Sequence, residues 1–292
     1  MTELPKNLTV NITTSRPSDN FGVLPLSVGI PIILITFCSI CVSLVVIFSL
    51  IRSKTGNFFT WKVIDRFSLY TVLLDLFLYT TQTSYGIHQR FGKSTRINDL
   101  ACSIYGILIL EFAVAQVILC SAMAVYAFSL VVRNQNLNLG KWDSFIILPA
   151  IGATLTEFTV AAYFDKFSPN PVYCSLKEER GFLTFHFIQI CLGILISFVI
   201  IIVLYLIMWC FIKRQTKMMN RSFGQQSAVN SRRLALKLSL FVLVHVIQFG
   251  GNAVEGLWIS IEEPPMNVRY ATIFIGATGG MMNGLVFLTA RK

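Results

Sequence analysis

Charged residues are scarce in this sequence. Asp, Glu, Lys and Arg account for 13% of its 292 residues and hydrophobic residues for 54%, whereas a soluble domain carries about 25% charged residues. Long apolar segments leave no room for an independent soluble domain. The composition therefore argues against a soluble protein and indicates a chain that lies largely within a bilayer.

Histidine is also rare, and its three copies lie far apart, at His88, His186 and His245. A metal-dependent hydrolase needs histidines and carboxylates clustered around one ion. We therefore expect neither a bound transition metal nor enzymatic activity. For His245, inside an apolar span, two interpretations stay open: a hydrogen-bonded packing residue and a pH sensor.

Lysine is absent from residues 270–290, the last apolar segment. A retinal-binding photoreceptor or pump carries the lysine of its Schiff base there, so retinal is not expected as a cofactor. An internal repeat, a frequent sign of a transporter, is not visible either. A transporter or channel is therefore a minor alternative.

Seven apolar segments occupy nearly the whole chain, and each is long enough to cross a bilayer, which takes about 20 residues in a helix. Their Ile, Leu, Val and Phe residues do not alternate with polar residues, which favours helices over a transmembrane barrel. The predicted fold is all-α, an integral membrane bundle of seven transmembrane helices over residues 26–290. The predicted spans are residues 26–52, 64–87, 101–132, 143–164, 183–213, 233–259 and 268–290.

The segments outside the spans predict the orientation. Residues 1–25 carry glycosylation sequons at Asn7 and Asn11, which indicate an extracellular N-terminal tail. With that orientation 15 of the 24 basic residues lie inside, in agreement with the positive-inside rule. Residues 291–292 then begin a cytoplasmic tail that is either very short or missing from this sequence. We expect a multi-pass protein of the plasma membrane.

The net charge of +10 follows from the same distribution. Seven basic residues between Lys213 and Lys237 lie in or next to the predicted inner loop between spans five and six, where anionic lipid of the inner leaflet attracts them. Because the basic residues are dispersed over several membrane loops, membrane lipid is an expected partner and nucleic acid is not.

Two of the seven cysteines lie at the predicted outer side of the membrane. Cys102 is at the outer start of span three and Cys174 is in the outer loop after span four. Both face an oxidising compartment, which is compatible with a disulfide that tethers this loop across span three. The other five are interpreted as small buried apolar residues; they are Cys38, Cys41, Cys120, Cys191 and Cys210.

Several motifs carry a resemblance to a known receptor family. They are Leu74-Asp75-Leu76 in span two, Tyr205 in span five, the basic residues Arg232, Arg233 and Lys237 at the inner end of span six, and residues 283–287, Asn-Gly-Leu-Val-Phe. The last segment resembles the Asn-Pro-x-x-Tyr of the seventh helix in rhodopsin-like, or family A, G-protein-coupled receptors. A disulfide from span three to the second outer loop is a hallmark of the same family. The resemblance covers residues 26–292.

The resemblance is incomplete at positions on which signalling depends in that family. The Asp-Arg-Tyr at the inner end of span three is Tyr126-Ala127-Phe128 here, and the Cys-Trp-x-Pro of helix six is Gln248-Phe249-Gly250-Gly251. The first-helix Gly-Asn is Val42-Ser43, and the fifth-helix Pro is missing. A narrower likeness, to an uncharacterised group near the cyclic-AMP-receptor-like receptors, is carried by residues 61–67, 140–143 and 279–280.

The resemblance implies a polar hub in the middle of the bundle. Asp75 and Asn283 would face each other there, and Gln116 takes the place of a third-helix serine of the family. Oxygen ligands suit a hard cation, so Na⁺ and a water network are both candidates for the hub. The alternative is a neutral Asp75 whose hydrogen bonds only tie helices together.

The resemblance also implies a ligand pocket in the outer half of the bundle. Phe249 takes the position of the family's aromatic switch, and Gly250-Gly251 would break span six in place of its proline. Gly279-Gly280 would either act similarly in span seven or allow spans six and seven to pack closely. Glu255 would contact a cationic ligand or pair with Arg269, and a solvated helix end is the alternative. Two further carboxylates within spans either face each other or reach toward the membrane surface; they are Glu111 and Glu157.

Together these features predict an orphan receptor that transmits the signal of an unknown extracellular ligand by helix rearrangement. The ligand would favour one of two bundle arrangements, and the inner end of span six would then admit a heterotrimeric G protein. Because Ala127 replaces the family's arginine, the alternative is a receptor-like protein that does not signal, or the dimer partner of another receptor. The inner cleft is assigned to Tyr126, Ala127, Tyr205, Arg232, Arg233 and Lys237.

Overall fold

The computed structural model describes residues 25–54, 56–91, 99–133, 135, 137–169, 173–177, 184, 187, 192–219 and 225–290. Within these ranges the side chains of residues 142, 215–219, 225–239 and 289–290 are not described. Several predictions therefore lie outside the described residues; they concern Asn7 and Asn11, His186, Cys191 and residues 291–292.

The described residues form seven helical spans. Six helical segments are long and apolar enough to cross a membrane, and the more polar helix Val63–Phe91 packs between the first and third of the seven. The predicted all-α membrane bundle is confirmed, whereas its orientation stays a prediction. In chain order, the helices of spans one to seven are Leu26–Ser53, Val63–Phe91, Asp99–Val132, Ser144–Tyr163, Gly193–Met219, Gln225–Ile261, and the pair Met266–Ala277 and Gly279–Ala290.

Span three is the central helix of the bundle. It contacts spans two, four, five and six, and buried residues occur on all its sides. A helix that is apolar all round is expected where other helices surround it. Span seven closes the bundle by packing against spans one, two and six.

A short β-hairpin covers one end of span three. Strand β1 (Phe167–Pro169) pairs antiparallel with strand β2 (Cys174–Leu176). The predicted disulfide from Cys102 to Cys174 is confirmed, with 5.3 Å between the two Cα atoms. A Cβ atom at Gly106 would overlap the Phe167 ring, so a glycine is needed for the hairpin to lie this close to span three. We call this end of the bundle the disulfide end.

Span six is continuous. Its helix runs from Gln225 to Ile261 through Gly250-Gly251, so the predicted break at the glycine pair is wrong. A Cβ atom at Gly251 would come within 3.2 Å of Thr272 in span seven. This glycine therefore permits spans six and seven to approach each other closely.

Spans seven and four are the irregular ones. Span seven is interrupted at Thr278, between its two helical segments. In span four the proline at position 149 has no N–H to donate to the preceding turn, and a π-helical segment surrounds it. From its start, span four comprises the 3₁₀ turn Lys141–Asp143, the α-helix Ser144–Ile147, the π-helix Leu148–Ala153 and the α-helix Thr154–Tyr163.

The interpretation of the remaining cysteines as buried residues is wrong for three of them. Cys120 is buried, but Cys38, Cys41 and Cys210 are exposed on the surface of the bundle. The lipid tails around a membrane helix are as apolar as its packed face. Hydrophobic neighbours in the sequence therefore do not reveal which face a cysteine occupies.

Candidate functional site

Asp75, fully buried in span two, lies at the centre of a polar network in the middle of the bundle. Its Oδ1 accepts a hydrogen bond of 2.6 Å from Nε2 of Gln116 in span three. Its Oδ2 accepts one of 2.9 Å from Nδ2 of Asn283 in span seven. The structure therefore brings together the three side chains that the sequence assigned to the polar hub.

Two side chains that the sequence did not assign to the hub extend it. Nε2 of Gln248 in span six lies 3.4 Å from Oε1 of Gln116 and 3.1 Å from the hydroxyl of Tyr79 in span two. In the sequence, the position of Tyr79 one helical turn after Asp75 places it on the same face of span two. The signal for Gln248 was an amide inside the apolar run that leads to Phe249.

The interruption of span seven explains why Tyr79 is placed here. The last carbonyls of one helix and the first N–H groups of the next lack partners within their own helices. The Tyr79 hydroxyl donates to the Gly276 carbonyl at 3.0 Å and accepts from the Gly280 N–H at 2.9 Å. Ser39 of span one donates to the Ala277 carbonyl at 3.0 Å. Side chains of spans one and two thus satisfy the polar backbone exposed by the break.

Glycines on span seven permit these contacts. A Cβ atom at Gly279 would overlap the Gln248 side chain, and one at Gly280 would lie 2.6 Å from the Tyr79 ring. A Cβ atom at Gly284 would overlap Val42 of span one. The glycine at position 284, where the family has proline, therefore brings spans seven and one together.

The geometry of Asp75 bears on the predicted sodium ion. Both carboxyl oxygens accept amide N–H groups, and Na⁺ is a hard cation that takes oxygen ligands. A sodium ion at Asp75 would need at least one of the two amides to turn its oxygen toward the carboxyl. The arrangement of Gln116 and Asn283 therefore fits the hydrogen-bonded alternative, and sodium binding stays a prediction.

A cavity of about 120 Å³ lies between the polar hub and the β-hairpin. Gln248 and Phe249 line it, and Tyr173 and Ser175 line it from the hairpin side. The cavity is large enough for several water molecules or a small ligand. Other lining residues include Gln82, Asn252, Glu255 and Arg269.

The three residues assigned to a ligand pocket therefore line one cavity. Phe249 and Arg269 are buried, and Glu255 is partly buried. His245 packs one turn below Phe249, with 4.6 Å between the ring centroids. Its Nε2 has no hydrogen-bond partner among the described residues. His245 therefore contacts the cavity indirectly, through the ring of Phe249 that lines it.

A second cavity lies between spans one, two and seven. It shares Gln82, Tyr173 and Asn252 with the first cavity. The two cavities thus meet at a polar junction below the hairpin.

At the end opposite the disulfide, Ala127 is fully buried against Met208 of span five. Tyr126 is buried, and the hydroxyl of Tyr205 has no hydrogen-bond partner among the described residues. The basic residues assigned to the cleft lie in the helix of span six, but their side chains are outside the described set; they are Arg232, Arg233 and Lys237.

Comparison with known proteins identifies the fold. No protein-family model matches the chain, and no curated protein matches it. Among solved structures, squid rhodopsin superposes with a TM-score of 0.68 at 15% sequence identity, over 92% of this chain and 79% of the rhodopsin chain. The chain therefore has the seven-helix fold of squid rhodopsin, a family A G-protein-coupled receptor.

Proposed function

We propose that the chain is a receptor of the plasma membrane that transmits the binding of an extracellular ligand to a heterotrimeric G protein. The supporting observation is the position of Gln248, which lines the cavity and also donates to Tyr79 and Gln116. A ligand that displaces Gln248 would alter the network around Asp75 without touching it.

The hub is the element that a ligand would bias. It joins spans two, three, six and seven through side chains, and Ser39 adds span one. A ligand shifts an equilibrium only by its difference in affinity for two states. A movement of span six that separates Gln248 from Tyr79 and Gln116 would supply such a second state.

The orientation belongs to the same proposal. With the N-terminus and the disulfide end outside, the cavity opens toward the extracellular side and the basic residues lie next to the inner leaflet. Glycosylation at Asn7 and Asn11 follows from this orientation. The relation to the uncharacterised receptors near the cyclic-AMP-receptor-like group rests on residues 61–67, 140–143 and 279–280 alone.

Basal nucleotide exchange tests the proposal. The chain is expressed with a panel of G proteins, and the wild type is compared with Asp75→Asn, Gln248→Leu and Ala127→Arg. We expect both the hub variants and Ala127→Arg to change basal exchange. Thr81→Val in span two is the matched control, because the Thr81 hydroxyl bonds only within its own helix in the described structure.

A receptor-like protein that does not signal is the second candidate. The buried Ala127 favours it, because a methyl group packed against Met208 offers nothing polar to a G protein. Normal surface expression without exchange in any variant would support this candidate, and the dimer partner of another receptor would then be sought by co-purification.

Sodium binding is tested separately. Thermal stability of the purified protein is measured in sodium and in choline chloride at equal ionic strength. Stabilisation by sodium that is lost in Asp75→Asn would support an ion at the hub. Equal stability in the two salts would leave the hub as a network of hydrogen bonds.

A further inference from the structure

A second buried aspartate lies at the end opposite the disulfide. Asp143, immediately before the α-helix of span four, is 3% exposed. Its Oδ1 accepts a hydrogen bond of 2.8 Å from Nη2 of Arg66, and its Oδ2 accepts one of 2.9 Å from the Tyr70 hydroxyl. Arg66 and Tyr70 both belong to span two, so these contacts join spans two and four.

The backbone of Asp143 is strained. Its φ angle is 56°, in the left-handed region that residues other than glycine seldom occupy. Asp143 stands at the N-cap of a helix, yet its side chain makes no capping hydrogen bond, although aspartate is a preferred cap. Both oxygens are instead committed to span two. Strain of this kind persists only where surrounding contacts impose it.

Arg66 also organises the loop between spans one and two. Its Nη1 donates to the carbonyl of Phe59 at 2.8 Å and to that of Trp61 at 3.3 Å. A lysine has no planar fork with which to reach a carboxylate and two carbonyls together. The guanidinium thus holds three segments: the loop, span two and the start of span four.

This cluster lies beside the segment of span three that lacks the family's arginine. The ring of Phe67, which follows Arg66 in span two, lies 5.9 Å from the Tyr126 ring. A few residues after Asp143, span four continues into the π-helical segment Leu148–Ala153. Such segments are frequent at functional sites.

We propose that Arg66, Asp143 and Tyr70 form a latch that holds the start of span four against spans two and three. Opening of the latch releases the strain at Asp143 and lets the start of span four move away from Tyr126. The latch would restrain this end of the bundle, where Ala127 replaces the family's arginine and has no polar group that could do so. Its role in lowering basal signalling rests on the proposed function, but its mechanical role does not.

Cys120 provides a native reporter of the latch. It is buried in a cluster with Phe67, Ile146 and Ala150, the last two from span four. Movement of the start of span four would uncover its thiol. In the background the other four cysteines besides Cys120 and the Cys102–Cys174 pair are replaced by alanine; they are Cys38, Cys41, Cys191 and Cys210.

The experiment measures the rate at which a small thiol reagent labels Cys120 in lipid nanodiscs. Asp143→Asn is the main variant, because asparagine tolerates the left-handed backbone but carries no charge. Arg66→Gln is the second variant. We expect either one to raise the labelling rate about tenfold or more, since each removes one partner of a buried pair. Lys54→Gln, which removes the more exposed ion pair with Asp65, is expected to leave the rate unchanged.

The outcomes separate the latch from the proposed function. Faster labelling in Asp143→Asn and Arg66→Gln, but not in Lys54→Gln, supports the latch whether or not any G protein responds. Wild-type labelling rates in both latch variants, with the protein folded, would overturn it. A lowered melting temperature without faster labelling would also overturn it, because that pattern indicates a contact that only stabilises the fold.

Discussion

Asp75 in the polar hub and Asp143 in the latch are both buried, but different partners satisfy them. Two amides donate to Asp75, whereas a guanidinium and a phenol donate to Asp143. A cation in the middle of a bilayer is costly, while a long basic side chain near a helix end can reach water. The side chain of Arg66 keeps 12% of its surface exposed. A site in the middle of the bundle therefore favours neutral amide donors, as at Asp75, and a site near a helix end permits a charged guanidinium, as at Asp143.

The two sites also differ in what they connect. The hub joins spans one, two, three, six and seven and includes Gln248, which lines the cavity. The latch joins the first loop, span two and span four at the other end. A disturbance of the hub should therefore affect the whole bundle, and a disturbance of the latch should affect one end.

The largest expected effect is that of Asp75→Ala. The amides of Gln116 and Asn283 lose their acceptor in a place that water does not reach, and we expect the free energy of unfolding to fall by about 3 kcal/mol. Denaturant unfolding of the purified protein in lipid measures it. Asp75→Asn retains one acceptor and should lose less. Wild-type stability in Asp75→Ala would show that the hub is not a stabilising network.

The latch should be the less costly site to break. Asp143→Gly removes the carboxylate without backbone strain, and we expect a loss of about 2 kcal/mol, because Arg66 can recover contact with water. Asp143→Ala should lose about 1 kcal/mol more, since alanine resists the left-handed backbone. The same unfolding measurement applies. Equal stability of the two variants would contradict the strain assigned to Asp143.

The close approach of span seven to span two gives a smaller test. Gly280→Ala places a methyl group against the Tyr79 ring, and we expect it to cost about 1–2 kcal/mol. Gly250→Ala is the matched control, because its nearest neighbouring atom would lie 3.9 Å away. The control should be neutral or stabilising by up to about 1 kcal/mol, since alanine favours a helix over glycine. Similar melting temperatures for the two variants would argue against tight packing at the hub.

The smallest expected effect is that of Lys54→Gln. The Lys54 side chain is 32% exposed and that of Asp65 23%, so solvent screens this pair, and we expect a loss below about 1 kcal/mol. A thermal melt in low and high salt measures it. A loss as large as that of Asp143→Gly would remove the distinction between buried and exposed pairs at this end.

Part of the site could be predicted from the sequence. Asp75 is an acidic residue in a span, and Asn283 lies in a segment similar to a known motif, so both could be found without coordinates. Tyr79 and Gln248 were not assigned, because Tyr79 bonds backbone groups at the interruption of span seven, and Gln248 bonds Tyr79 and Gln116 on two other helices. The break expected at Gly250-Gly251 does not occur, since span six is continuous there, whereas span seven is interrupted at Thr278, next to the glycine pair Gly279-Gly280.

The sequence by itself determined the membrane class, the seven spans and the two cysteines of the disulfide. Hydrophobic length and the positions of polar loops are local properties, and they are sufficient for these conclusions. Only the tertiary structure decided that Gln248 links the cavity to Asp75 and that Arg66 meets Asp143. These pairings depend on the rotation and depth of each helix. Helix packing sets both, and lipid-facing and core-facing residues are too similar in hydrophobicity to reveal either.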